Sequence, residues 1–295
     1  MAGDGESYGR LAEAWRRHER RWKEHRFVYA VVSRRSRGVS VGINLSPEKA
    51  CNFNCVYCQV DRKSPASGSS ATHVDFPVLS GELDRILQSE RAGVLYDDAP
   101  FDALTPAERG VRDIAFSGDG EPTAYPGFEE AVRIAVEARR KHGLQNTKLV
   151  LITNAAYLDK PAVRSALALL DENGGEVWAK LDAGTERFFR EVNRTDVSLD
   201  RILENILDAA CRCPVVIQSL WMRLRGEGPS AREIESYCGR LGDILDAGGR
   251  LKSIQLHTVM RHPAESHVTP LTGDELGQIG DFVKSRLPIP VEVFG

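Results

Sequence analysis

With 295 residues, 42% of them hydrophobic and 27% charged, the chain has the length and balance to bury a substantial core without disulfides, which excludes disordered, fibrous and disulfide-scaffolded classes. No stretch is apolar enough for a membrane span. The charged N-terminus lacks the apolar centre of a secretory signal, so a cytoplasmic location is expected, with the six cysteines kept reduced.

In chain order, a basic segment comes first. Net charge is −3 overall, yet Arg10 to Arg37 holds ten Lys/Arg against Glu13, Glu19 and Glu24, leaving the remainder about ten charges negative. Leu11, Trp15, His18 and Trp22 recur at helical spacing, so residues 1–38 read as a basic helical extension docked by its apolar face. Weak contact with a polyanion through Arg10 to Arg37 is the second use of this charge.

Val39 to Leu45 reads as a strand that delivers the chain into the loop Ser46 to Cys51, and residues 60–76 are rich in turn formers. A helix follows at Leu79 to Gln88. Beyond it, strands at Val111 to Phe116, Lys148 to Thr153, Val177 to Leu181, Pro214 to Trp221 and Leu251 to Val259 alternate with helices at Phe128 to His142, Lys160 to Leu170, Leu199 to Ala210, Ala231 to Ala247 and Gly273 to Ser285. Val291 to Phe294 is a last short strand. Such alternation predicts an α/β fold with a parallel sheet. Six strand-helix units fall two short of a closed eightfold barrel, so residues 39–295 are expected to form one partial (β/α)6 barrel. In barrels of this kind the loops leaving the C-terminal ends of strands carry the active site.

One such loop holds Cys51, Cys55 and Cys58, three thiols within eight residues, close enough to converge on one inorganic centre. A closed zinc site would need a fourth ligand, and no second pair follows at short range. The C-x-x-x-C-x-x-C spacing, with Tyr57 just before the last cysteine, resembles the signature of the radical S-adenosylmethionine (SAM) enzymes. The resemblance implies a 4Fe-4S cluster on Cys51, Cys55 and Cys58, whose fourth iron binds SAM. It further implies reductive cleavage of SAM to methionine and a 5′-deoxyadenosyl radical that abstracts hydrogen from a substrate, with the electron coming from a flavodoxin or ferredoxin partner.

A second loop supports this. Ser117-Gly118-Asp119-Gly120-Glu121-Pro122-Thr123 leaves the end of the strand Val111 to Phe116 and is similar to the Gly-Gly-Glu-Pro element of that superfamily, with Asp119 standing where a glycine often sits. The resemblance places the methionine amino group of SAM there. It places the SAM carboxylate and ribose at Asn154, Lys180 and Asp182, which end the next two strands. The run Ile43 to Arg62, the segment Lys180 to Gly184 and the tail Gln255 to Gly295 look like the branch that includes the wyosine-tRNA synthases, although no cysteine precedes Cys51. Modification of a tRNA base and activation of a glycyl-radical partner enzyme are therefore the alternative activities. A zinc-binding or RNA-binding module is the non-enzymatic alternative.

Arg223 and Arg225 after one strand, and Arg261, His262, Glu265 and His267 after the next, are the candidates for lining a substrate pocket, since arginines suit carboxylate or phosphate and histidine can move a proton. Cys211 and Cys213 lie where a helix hands over to a strand, on the opposite end of a barrel, and with Cys238 read as idle or buried residues rather than a second cluster.

Overall fold

The computed structural model describes residues 13–14, 22–60 and 73–295. Leu11, Trp15 and His18 of the basic extension lie outside them, as do residues 61–72 of the turn-rich loop. The chain divides into two compact units, one of Met1–Ala50, Ala66–Leu151 and Glu172–Gly175, the other of Cys51–Pro65, Ile152–Asp171 and Glu176–Gly295.

Among the described residues from 22 onward, the first regular element of the first unit is a strand. β1 (Val28–Ser33) pairs antiparallel with β2 (Gly38–Ile43), and all twelve residues are buried. The expected helical extension therefore ends before residue 28. Its physical reason is the continuous apolar, partly β-branched run from Phe27 to Val32, which suits a strand covered on both faces, while Arg34, Arg35 and Arg37 occupy the turn that follows. The start of β1 is fixed by α1 (Phe76–Arg91): the buried Glu82 carboxylate accepts N–H bonds from Arg26 at 2.8 Å, Phe27 at 2.8 Å and Val28 at 3.1 Å. Asp75 caps α1 by accepting from the Val78 N–H at 3.0 Å.

β2 runs parallel to β3 (Val111–Phe116), which pairs in turn with the start of β4 (Lys148–Thr153). Between them, α2 (Phe128–Lys141) buries Phe128, Ala131, Val132, Ala135 and Ala138 at helical spacing. Acidic residues in its first turn and basic ones in its last oppose the helix dipole.

The second unit follows the strand-helix rhythm: α3 (Pro161–Glu172), β5 (Glu176–Lys180), α4 (Glu186–Asn193), α5 (Leu199–Arg212), β6 (Val215–Leu220), β7 (Met222–Leu224), α6 (Ala231–Asp246), β8 (Leu251–His257), β9 (Val268–Pro270), α7 (Gly273–Arg286) and β10 (Val291–Phe294). β5, β6, β8 and β10 are parallel neighbours in that order. One face of these strands meets helices: the Ser219 and Tyr237 hydroxyls bond at 2.7 Å, and a Cβ at Gly280 of α7 would lie 2.6 Å from Val293. Because strand side chains alternate, Lys180, Gln218 and Gln255, which are in register across β5, β6 and β8, share the opposite face. The Gln218 amide donates to Gln255 at 3.2 Å there.

Three elements of the second unit escape the periodicity reading. α4 is an eight-residue helix inside a strand-to-helix connection, and β7 with β9 forms a separate antiparallel pair. Buried Glu233 sets the start of α4, accepting from the N–H groups of Gly184 at 2.5 Å and Thr185 at 3.0 Å and from the Thr185 hydroxyl at 2.6 Å. Gly184 permits this, since a Cβ there would stand 2.1 Å from the Tyr237 nitrogen.

Candidate functional site

The cysteine loop lies in the second unit and is fastened to the last turn of α4. Asn54 N–H donates to the Asn193 carbonyl at 3.2 Å and Val56 N–H to the Val192 carbonyl at 2.9 Å, so the loop satisfies helix-terminal acceptors that would otherwise need capping. The Phe53 ring meets Phe189 edge-on at 5.9 Å. From the other side, Glu265 N–H donates to the Val56 carbonyl at 3.2 Å. Val56 and Tyr57 are buried in a small core with Val192, Met222, Leu224, Val259 and Val268, against which Cys55 packs. A turn bond from Cys58 N–H to the Cys55 carbonyl at 3.0 Å folds the two thiols back along the chain. All three cysteines are partly buried.

Below the loop stands Asp182, 1% exposed, two residues past the end of β5. Its carboxylate accepts from the Tyr57 hydroxyl, from the Asn193 amide at 3.2 Å and from the Leu220 N–H at 2.9 Å. The same Asn193 nitrogen stands 3.5 Å from Cys55 Sγ. Lys180 Nζ lies 4.9 Å from the centre of the Tyr57 ring. Burial, with the Asp182 charge adding to it, holds the Tyr57 phenol well above its ordinary pKa, so the hydroxyl remains a donor. Both Asp182 oxygens thus accept from protein donors, which ties the carboxylate to the loop, to α4 and to β6.

Asn154 follows β4. Its side-chain oxygen accepts from Ala156 N–H at 3.1 Å, as a turn former would, while its amide nitrogen donates to Asn52 of the cysteine loop at 2.9 Å. Asn52 Nδ2 and Asn193 Oδ1 are buried without a protein partner among the described residues.

The glycine loop belongs to the first unit. Ser117 N–H donates to the Ile43 carbonyl at 3.1 Å, and the Ser117 hydroxyl meets the Tyr29 hydroxyl at 2.9 Å, so β1 and β2 both support it. Asn44, at the end of β2, is the residue the sequence reading overlooked: its oxygen accepts from the N–H groups of Asp119 at 3.2 Å and Ser46 at 3.1 Å, and its nitrogen donates to the Asp119 carboxylate at 2.8 Å. Its signal was a polar residue directly at a strand's C-terminal end. At Gly118 a Cβ would come within 2.4 Å of Asn44 Oδ1, and at Gly120 within 1.9 Å of the Ala50 carbonyl, one residue before Cys51 in the chain. Buried Glu121 accepts from Thr123 at its N–H, 3.1 Å, and its hydroxyl, 2.5 Å, fixing the Pro122 turn.

The expected substrate residues sit on or near the β7/β9 pair. Arg223 is ion-paired with Glu275, and exposed Arg225 pairs with Glu191 at 2.9 Å while donating its N–H to the His267 carbonyl at 2.9 Å. Arg261 and His267 are half-buried and His262 is exposed. The two arginines thus strap the β7/β9 pair to α7 and α4. Cys211 is exposed at the end of α5, and Cys213 and Cys238 are buried, with burial pushing each of those two thiols up to about 11.

Three soft thiol donors on one loop fit an iron-sulfur cluster. Burial, then the Asp182 charge, pushes the Cys55 thiol up to about 12 with Asn193 opposing. Among the described residues no three His, Cys, Asp or Glu side chains gather tightly enough to hold a single metal ion. A cluster differs, because it spreads its cysteines over separate irons. No helix among the described residues is long and apolar enough to cross a membrane.

Residues 45–228 match the family model described as the Radical SAM superfamily. Curated relatives include a UPF0026 protein of Helicobacter pylori, 25% identical over 84% of this chain and 71% of its own length, and UPF0026 protein slr1464 of Synechocystis, 30% identical over 61% and 57%. A protein of Brachyspira hyodysenteriae named GTPase Obg is 23% identical over 92% of this chain, which spans only 35% of that protein. Among solved structures, a radical SAM methyltransferase from Sphaerobacter thermophilus superposes with a TM-score of 0.61 at 14% identity, covering 90% of this chain and 68% of its own. Streptococcus suis SuiB bound to S-adenosylmethionine gives 0.55 at 13%, covering 86% of this chain and 50% of its own. TYW1 with a lysine-pyruvate adduct bound gives 0.51 at 16%, covering 93% and 80%. These likenesses show the fold: α/β, of the partial-barrel type found in those enzymes.

Proposed function

Because the chain belongs to the radical SAM superfamily, we propose that it is an enzyme holding one 4Fe-4S cluster on Cys51, Cys55 and Cys58 and using it to cleave S-adenosylmethionine. The observation that carries this reading is the cysteine loop itself: three partly buried cysteines at C-x-x-x-C-x-x-C spacing, clamped by α4 on one side and by the Glu265 backbone on the other. When bound, the cluster and SAM supply reductive scission to methionine and 5′-deoxyadenosine, the hydrogen atom coming from the substrate.

The chain's own residues do the holding. Helix α4 and the small core around Val56 keep the loop's shape before iron arrives, which lowers the ordering cost of binding. Backbone groups of Gly118, Asp119, Gly120 and Glu121 are assigned to the amino end of SAM, in a loop that the two glycines let pack closely on Asn44 and Ala50. Asn154 and Lys180 are assigned to its carboxylate and ribose. Asp182 positions Tyr57 and the loop from beneath. The electron is assigned to a flavodoxin or ferredoxin-type donor.

Anaerobic reconstitution followed by electron paramagnetic resonance of the reduced protein tests the assignment. A 4Fe-4S signal that changes on adding SAM supports an open iron; a signal indifferent to SAM, or stoichiometric zinc in place of iron, refutes it.

A further inference from the structure

The proposed cluster has a neighbour whose position suggests a second level of control, and the following rests on the reading of the cysteine loop as a cluster site. Asn193 is the last residue of α4 and is 3% exposed. Its amide nitrogen stands between two acceptors, Cys55 Sγ at 3.5 Å and Asp182 Oδ2 at 3.2 Å. The carboxylate settles which end of the amide faces the sulfur, since the reverse orientation would set the amide oxygen against both a carboxylate and a thiolate. The backbone of Asn193 clamps the same loop through Asn54 N–H, so the side chain has little freedom to move away. Arg194, next in the chain, adopts a left-handed conformation with φ 46° and is ion-paired with Glu265 at 2.5 Å, which fixes the end of α4.

We propose that Asn193 is a positioning residue that sets the reduction potential of the cluster, by donating an N–H bond to Cys55 Sγ and by standing between that sulfur and the Asp182 carboxylate. A reduced cluster carries one more negative charge than an oxidised one, so a donor aimed at a ligand sulfur stabilises the reduced form more and raises the potential. The nearby carboxylate acts in the opposite sense, and the Asn193 amide dipole opposes it. The network therefore offsets the charge of Asp182, which the loop needs for its architecture.

The test is redox titration of the reconstituted full chain in wild type, Asn193→Leu and Asn193→Asp, with iron and sulfide quantified in each. Leucine keeps the side-chain volume and removes the donor; aspartate keeps the shape and adds a charge. Each variant is expected to retain four irons, with the midpoint falling in the order wild type, N193L, N193D. At a fixed poise the reduced-to-oxidised ratio of N193L should drop roughly fivefold, the scale of one lost hydrogen bond. Resonance Raman supplies an independent readout: an Fe–S(Cys) band whose shift on exchange into deuterated water is smaller in N193L than in wild type, the Tyr57 hydroxyl remaining beside Cys55 in both. Unchanged midpoints in both variants would overturn the proposal. So would a folded N193L chain that loses iron, because Asn193 would then be a scaffold of the loop. Should N193L fail to fold, N193D is read by the same criteria. A wild-type chain that assembles no four-iron cluster removes the functional reading itself, and this inference with it, whereas a normal wild-type cluster with unmoved variants defeats the inference alone.

Discussion

The Tyr57 hydroxyl donates to the Asp182 carboxylate, so the residue preceding the last cysteine of the loop is tied to the strand end beneath it. Removing the acceptor by Asp182→Ala leaves the Tyr57 hydroxyl, the Leu220 N–H and the Asn193 amide without it, at a cost of about 2–4 kcal/mol for buried donors. Tyr57→Phe removes one donor and should cost about 1 kcal/mol. Urea denaturation of the apoprotein checks the ranking, and equal stability of the two variants would contradict it.

Gly120 is where a side chain is least tolerable. An added Cβ would meet the Ala50 carbonyl at 1.9 Å and the Ser46 side chain at 2.7 Å, forcing the backbone just before Cys51 to move. Gly120→Ala should lower SAM cleavage on the order of 100-fold, the effect of displacing a reacting group by about 1 Å. Gly277→Ala is the control: it lies on α7 with nothing within 4 Å of the new methyl, and should leave cleavage intact while adding about 0.5–1 kcal/mol of helix stability.

A purely structural prediction concerns Glu82, which gathers three backbone donors at the start of β1. Glu82→Ala orphans all three in a buried setting, and a loss of about 3 kcal/mol is expected from chemical denaturation. A change under about 0.5 kcal/mol would show that water replaces the carboxylate at no net cost.

Acid stability has an identifiable contributor in Asp208 of α5. Hydrogen bonding to Arg212, against a smaller burial effect and with Arg164 of α3 adding charge, holds its carboxyl below the usual range. A carboxyl lowered by folding contributes stability that is present above its unfolded pKa and is lost as pH falls through its folded pKa. Asp208→Asn should therefore flatten the decline in stability below about pH 4, by less than about 1 kcal/mol because both guanidiniums are well exposed. An unchanged acid limb would mean the pair contributes nothing measurable.

The strand-helix rhythm from Val39 onward was legible because amphipathic helices such as Phe128–Lys141 and apolar strands such as Val215–Leu220 declare themselves by period. The cysteine and glycine loops were legible by spacing. What sequence reading missed was set by tertiary contact. β1 lies in a basic segment whose charge masked six apolar residues. α4 is too short for a period to emerge, and it matters through Asn193, whose partners Cys55 and Asp182 lie 138 and 11 residues away. Asp182 was recognised as a polar strand end, but only packing reveals its bonds to Tyr57, Asn193 and Leu220. The ion pairs of Arg223 and Arg225 were hidden because their partners Glu275 and Glu191 are remote in sequence.

The most direct test of the central claim is 5′-deoxyadenosine formation by the anaerobically reconstituted, dithionite-reduced chain with SAM, measured beside Cys55→Ala. The account predicts about four irons per wild-type chain with 5′-deoxyadenosine produced, and neither a cluster nor product in the variant. Product formation by C55A at the wild-type rate, or a wild-type chain that carries its four irons and leaves SAM intact, would contradict it.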